Sequence, residues 1–202
     1  MGWPRAVTLK GDSVVLEPLR AAHHDDLVEA VRDGELWNLC YTSVPTPEGM
    51  AAEIERRLHV QATGSMVAFA VVERASGRTV GMTTYCNCDE ANRRLEIGYT
   101  FYRKRVQRTG LNTESKLLLL THAFETLECI AVEFRTSSMN RQSQAAIERL
   151  GARLDGILRS HGHHSNGTLR DTYVYSITAD EWTGLRKRLQ QRLATAGSTT
   201  FG

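Results

Sequence analysis

The sequence predicts an α/β fold of the α+β kind: a mixed, mostly antiparallel central sheet of about seven strands, flanked by helices. Three observations predict it. Strand-like apolar runs follow one another between Met66 and Tyr102 with only short turns between them, as in a meander. The texture then becomes helical from Gly110 to Leu127, returns to a strand at Ile130–Thr136, and turns helical again at Asn140. Finally, Asn166-Gly167 sits between two further strand-like runs and marks a closing hairpin.

The elements follow in order. Val14–Leu19 reads as the first strand. Asp25–Arg32 carries Leu27, Ala30 and Val31 at helical spacing. Thr46-Pro47-Glu48 supplies a cap, a first-turn proline and an early acid, and opens a second helix to about Val60, with Ile54 and Leu58 inward. Met66–Val72 and Thr79–Tyr85 flank a Ser76-Gly77 turn, and Arg94–Tyr102 follows a turn at Asp89–Asn92. Leu117, Leu120, Ala123, Phe124 and Leu127 share one helix face, with Asn112 or Thr113 as the cap. Asn140–Leu150 is a helix stopped by Gly151. Leu154–Arg159 and Tyr173–Ile177 form the last strand pair. In the terminal helix, Asp180–Leu193, Leu185, Leu189 and Leu193 are positioned to cover the sheet or to join a homodimer; a disordered tail is expected beyond it.

The bulk numbers narrow the function. A chain of 202 residues with 41% apolar content builds its core without disulfides or metal. A net charge of +2 is too balanced for a nucleic-acid partner. Cys40, Cys86, Cys88 and Cys129 do not form a disulfide framework and read as free thiols. The first ten residues lack the pattern of a secretory leader, and no apolar run approaches the roughly 20 residues of a membrane span, so a cytoplasmic protein with no membrane partner is expected.

Chemistry concentrates between Arg94 and Leu127. A basic loop after Tyr102 ends at a capped helix, whose unpaired N–H groups and partial positive charge make an anion site. Gly110 lets a ligand approach the backbone there, although a glycine before a helix is also an ordinary surface turn.

Gln107-Arg108-Thr109-Gly110-Leu111-Asn112 resembles the Gln/Arg-x-x-Gly-x-Gly/Ala loop of the GNAT N-acetyltransferases, with Asn112 in place of the last small residue. Glu96–Phe101 before it, Thr113–Leu120 after it, Asn140-Arg141-Gln142-Ser143 and Gly167–Asp171 extend the likeness to the branch that includes the ribosomal-protein N-terminal (RimJ/RimL-type) acetyltransferases. The likeness covers about residues 10–180 and implies one acyltransferase domain over 1–180, followed by a helix and tail at 181–202. It also implies that the family's fourth and fifth strands splay, here Arg94–Tyr102 and Ile130–Thr136, and that acetyl-CoA lies in the gap.

On that likeness the cofactor contacts are Tyr99, Thr100, Phe101, Gln107, Arg108, Thr109, Gly110, Leu111, Asn112, Thr113, Lys116, Asn140 and Ser143. Arg105, Arg108 and Lys116 would add charge near the phosphates. The acceptor is an amine of a small molecule or a protein N-terminus, with Trp37, Tyr41 and Tyr85 along its pocket.

An amine of pKa about 10 must lose a proton before it attacks a thioester. Glu96 is the candidate base; its other reading is a structural carboxylate paired with Arg93 or Arg94. A backbone N–H near Phe101 is the candidate oxyanion donor. Ser143 is the candidate at the thiol end, because Ile147 stands where many relatives carry a tyrosine. Asn140 can cap its helix, contact the cofactor, or both. No metal site is expected: His161-Gly162-His163-His164 lacks a fourth ligand, and Cys86-x-Cys88 has the wrong spacing. The alternative to an enzyme is a CoA-binding or sensing module of the same fold.

Overall fold

The computed structural model describes residues 3–198. The strands are β1 (Leu9–Lys10), β2 (Val14–Pro18), β3 (Met66–Glu73), β4 (Thr79–Asp89), β5 (Arg94–Tyr102), β6 (Ala131–Ser137), β7 (Arg153–His163) and β8 (Leu169–Thr178). The helices are α1 (His24–Arg32), α2 (Met50–Ala62), α3 (Gly110–Thr121), α4 (Arg141–Leu150) and α5 (Ala179–Ser198). One sheet runs in the order β1-β2-β3-β4-β5-β6-β8-β7, and every neighbouring pair is antiparallel except β5 with β6.

The alternation of β3–β5 divides the apolar side chains between two cores. Val67, Phe69, Tyr85, Leu95 and Ile97 pack with Leu119 and Leu120 of α3, Ile147 of α4, and Trp182 and Leu185 of α5. On the opposite face Ala68, Ala70, Met82 and Phe101 pack with Leu27 and Val31 of α1 and Ile54 of α2. Burial of those two faces is the main stabilising term of the fold.

The structure departs from the expected boundaries in ways that have local causes. The eighth strand is β1, whose two residues pair with Val15 and Leu16 and are too short to show a period. Helix α2 starts at Met50, because Thr46 Oγ1 accepts from Gly49 N at 3.1 Å and fixes a turn ahead of the helix. Thr109, not Asn112 or Thr113, caps α3: its hydroxyl accepts from Leu111 N at 3.3 Å. Beyond Thr121 that helix continues as a π-helical turn, His122–Thr126. Helix α5 extends through Ser198, where a tail was expected, while 199–202 lie outside the described residues. Leu185 and Leu189 are buried in this chain's own core and so cover the sheet.

Tyr85 belongs to the α3-side core. It is fully buried, meets Phe69 edge-on with ring centroids 5.4 Å apart, and stacks on His122. Its hydroxyl donates to Leu119 O at 2.6 Å, inside α3. Tyr85→Phe strands that contact, and we expect it to lower stability by about 1–2 kcal/mol in urea unfolding. An unchanged midpoint would remove the hydroxyl from the packing account.

Candidate active site

Strands β5 and β6 pair at only three positions: Arg94 with Ala131, Leu95 with Val132 and Glu96 with Glu133. Beyond Glu96 they part, and a cleft of about 700 Å³ opens between them. Its walls are β5 from Ile97 to Tyr102, β6 from Phe134 to Ser137, the first turns of α3 and α4, and the Leu36–Val44 segment. The expected splay is therefore present.

A bulge shapes the β5 wall. Thr84 pairs with Gly98 and Met82 with Phe101, so two steps on β4 face three on β5. Tyr99 takes up the extra residue with φ of +47°, a conformation that a large side chain adopts only when its surroundings hold it. The hold comes from α2. Arg57, only 1% exposed, donates to Tyr99 O at 3.1 Å, to Thr84 Oγ1 at 2.7 Å and to Glu53 Oε1 at 2.7 Å. Burial pulls the guanidinium pKa down, and Glu53 opposes that pull. Sequence reading missed Arg57; its signal was the Glu53–Arg57 spacing of i, i+4.

Lys116 approaches β5 from the opposite face. Its Nζ donates to Thr100 Oγ1 at 3.0 Å and to Thr83 Oγ1 at 3.4 Å. Burial without a carboxylate partner pulls its pKa down to about 7. It lines the cleft beneath the bulged strand, with its ammonium engaged by the two threonines. The other expected phosphate cation, Arg105, is held by Glu73 at 2.6 Å.

At the α3 end, Gln107, Arg108, Thr109, Asn112 and Thr113 line the cleft. The Gln107 side chain donates to Tyr102 O at 2.9 Å and braces the loop. Arg108 makes the loop's sharp turn, with φ of +61°. Gly110 and Leu111 do not line the main cleft. Leu111 is core, and a Cβ on Gly110 would lie 3.5 Å from Leu193 of α5, so what the glycine accommodates on that side is the last helix. A second cavity of about 680 Å³ crosses the same helix start and adds Arg188. Asn112 Oδ1 is buried without a hydrogen-bond partner among the described residues. An unfilled acceptor, free helix amides and nearby Arg108, Arg149 and Arg192 fit a ligand that is both anionic and amide-bearing, as coenzyme A is.

At the α4 end, Asn140 caps the helix by accepting from Ser143 N at 3.0 Å. Both residues line the cleft. Among the described residues the Ser143 hydroxyl has no hydrogen bond, so it is free to meet a ligand.

Glu96 is 7% exposed and lies on the α2-side face. An ideal Cβ on Gly98 would stand 2.8 Å from Glu96 Oε1, so the missing side chain of Gly98, a cleft-lining residue, brings that carboxylate against the cleft wall. Asn87 donates to Glu96 Oε2 at 2.8 Å, and Arg135 stands 3.5 Å away. Arg94 instead pairs with Glu133, and Arg93 lies over the Trp3 ring. Burial raises the Glu96 pKa, while the Asn87 bond and Arg135 oppose that rise.

Of the expected acceptor aromatics, only Tyr41 lines the cleft. Trp37 packs against the α1-side core, and Tyr85 lies in the core on the other face of the sheet. His164 is buried between Ser137 Oγ and Thr168 Oγ1, and His161 bonds Thr172. Ser165, in the β7–β8 turn, donates to Cys40 O at 3.3 Å and ties that turn to the Leu36–Val44 wall.

The comparisons agree with this geometry. The family model described as an acetyltransferase (GNAT) domain matches residues 13–153, and the chain belongs to that family of acyl-CoA-dependent N-acyltransferases. It is 36% identical over 108 residues to YdaF of Bacillus subtilis, whose name provisionally assigns it as a ribosomal N-acetyltransferase. That alignment spans 54% of this chain and 58% of YdaF, so it covers little more than half of that relative. A solved GCN5-related N-acetyltransferase from Brucella melitensis is 30% identical, with a TM-score of 0.84 over 94% of this chain and 86% of its own. A structure from T. thermophilus, provisionally described as an acetyltransferase, is 33% identical, with a TM-score of 0.82 over 95% and 99% of the two chains. No helix of the described residues is long and apolar enough to cross a membrane.

Lys116 carries a pH signature. Its pKa is about 7 when folded, against the ordinary 10.5, so between those values the unfolded chain binds more protons. This group's contribution therefore makes stability rise as pH increases through that window. Lys116→Met, which leaves Thr83 and Thr100 bonded to each other, is expected to raise the urea midpoint at about pH 6. The gain should shrink toward about pH 10; a gain independent of pH argues against a buried ammonium.

Proposed function

We propose that this protein transfers an acetyl group from acetyl-CoA to a primary amine, borne by a small molecule or by a protein N-terminus. The observation that carries the reading is the position of Glu96. A largely buried carboxylate lies directly behind Gly98, in the wall of a cleft whose other end carries the helix-start features of an anion site.

Acetyl-CoA, when bound, supplies an activated acyl thioester. The chain's own residues do the rest. The amides at the start of α3, with Arg108 and Arg192, would hold the pyrophosphate end, and Asn112 Oδ1 would accept from an amide of the pantetheine arm. The β5 backbone beyond Glu96, which has no β6 partner, would offer an N–H to the developing oxyanion. Glu96 takes a proton from the incoming ammonium, directly or through one water, and its raised pKa brings it closer to the working pH. The Ser143 hydroxyl donates toward the departing sulfur. The name of YdaF, provisionally a ribosomal N-acetyltransferase, supports a ribosomal amine as one acceptor class.

Glu96→Gln is expected to lower kcat by roughly 100-fold while leaving the acetyl-CoA dissociation constant unchanged. Thiol release and calorimetry measure the two quantities. Wild-type kcat/KM should fall with decreasing pH at a value above the ordinary carboxylate range, because burial raises the Glu96 pKa. Full turnover by the glutamine variant rejects Glu96 as base. Absence of thiol release with every amine offered rejects the transfer reaction itself.

A further inference from the structure

One guanidinium in the cleft, that of Arg170, has no carboxylate in contact with it among the described residues. Along β8, Tyr173 and Tyr175 face the α4-side core, and the Tyr175 hydroxyl bonds Glu148 of α4 at 3.1 Å. Alternation places Arg170, Thr172 and Val174 on the opposite face, shared with Glu96 and Arg135. Arg135 is already engaged by Glu133 at 3.0 Å and Glu96 at 3.5 Å, and Arg57 by Glu53. The Arg170 side chain lines the same cleft; among the described residues it makes no hydrogen bond or contact ion pair, its Nε is buried without a partner, and its one charge interaction is a longer-range attraction to Glu96, the carboxylate that would face the ammonium.

We infer that Arg170 is a specificity residue that receives a carboxylate on the acceptor, so the preferred substrate is an amine that also carries a carboxylate, as a free amino acid does. This rests on the transfer reaction proposed above. The fork of a guanidinium matches a carboxylate in two parallel bonds, and a desolvated Nε–H gains most from such a partner. Glu96, across the same wall, attracts the ammonium end, so the two charges of a zwitterionic acceptor meet complementary charges and fix its direction. The bridge from Ser165 to Cys40 joins the two walls of the acceptor side, which suits a small molecule better than a folded protein surface.

Two readouts test it, one independent of turnover. In the presence of coenzyme A, calorimetry compares L-amino acids offered as free acids with the same compounds as α-amides. Free acids are expected to bind roughly 10- to 100-fold more tightly, the range of a charge-assisted bidentate contact. Thiol release from acetyl-CoA with the same panel should show that ratio in KM. Arg170→Gln should collapse the acid-over-amide ratio toward one, and Arg170→Lys should restore part of it. Short peptide amides beginning Ser-Glu and Ser-Gln form a second arm: a preference confined to Ser-Glu keeps the carboxylate contact but assigns its source to an acidic peptide. Equal binding of free acid and amide together with equal binding of the Ser-Glu and Ser-Gln peptides, or a preference untouched by Arg170→Gln, overturns the inference whether or not transfer occurs. Tight, Arg170-dependent binding without thiol release upholds it and fails the transfer reaction.

Discussion

The contact between Arg57 and the carbonyl of Tyr99 is the constraint on which the cleft depends. A parallel pair such as β5–β6 would otherwise continue its ladder. The bulge at Tyr99 turns β5 out of register, and Tyr99 has no conformational preference for the positive φ it adopts. Desolvating a guanidinium is costly, and Glu53, Thr84 and the bulge carbonyl together offset that cost. The arrangement also couples α2 to β5: a shift of that helix displaces the backbone that lines the cleft.

Charge is distributed unevenly around this strand, and the faces of the sheet account for it. Below β5, Lys116 is held by two threonine hydroxyls, and burial favours its neutral form. Above it, Glu96 is pushed the same way, toward its neutral form, but Asn87 and Arg135 limit the shift. Both groups are thereby moved toward neutral pH from opposite directions. Glu96 sits behind Gly98 on the α2-side face and Lys116 lines the cleft from the α3 side, so the proposed reaction assigns the amine's proton to the former.

Much of this was legible in the sequence, and the parts that were not share a cause. Local signals placed the meander, the α3 and α4 helices, the Gly151 stop and the Asn166-Gly167 turn, because each rests on a few neighbouring residues. The loop 107–113 was legible for the same reason, although its cap fell on Thr109, about one turn before the expected Asn112 or Thr113. Tyr85 was misplaced because an aromatic on a strand carries no mark of which face it takes, and the β3–β5 alternation sends it toward α3. Arg57 and Arg170 escaped notice because their significance comes from partners that are far away or missing: Tyr99 lies 42 residues from Arg57, and Arg170 stands out only when its neighbours' ion pairs have been assigned.

That difference separates the two ends of the site. On the proposed reading, the donor end is assembled largely from a contiguous loop and a helix start, where backbone amides would do the work and many side chains are compatible with it. Its chemistry is therefore common to a whole family. The acceptor end draws single side chains from β5, β6, β8 and the segment before α2, and each change there alters one charge or one contour. Gly98 illustrates the point: a side chain there would collide with the Glu96 carboxylate that lies behind the cleft wall. Differences in what such proteins acetylate should accordingly concentrate in these scattered positions, while the helix-start cradle stays the same.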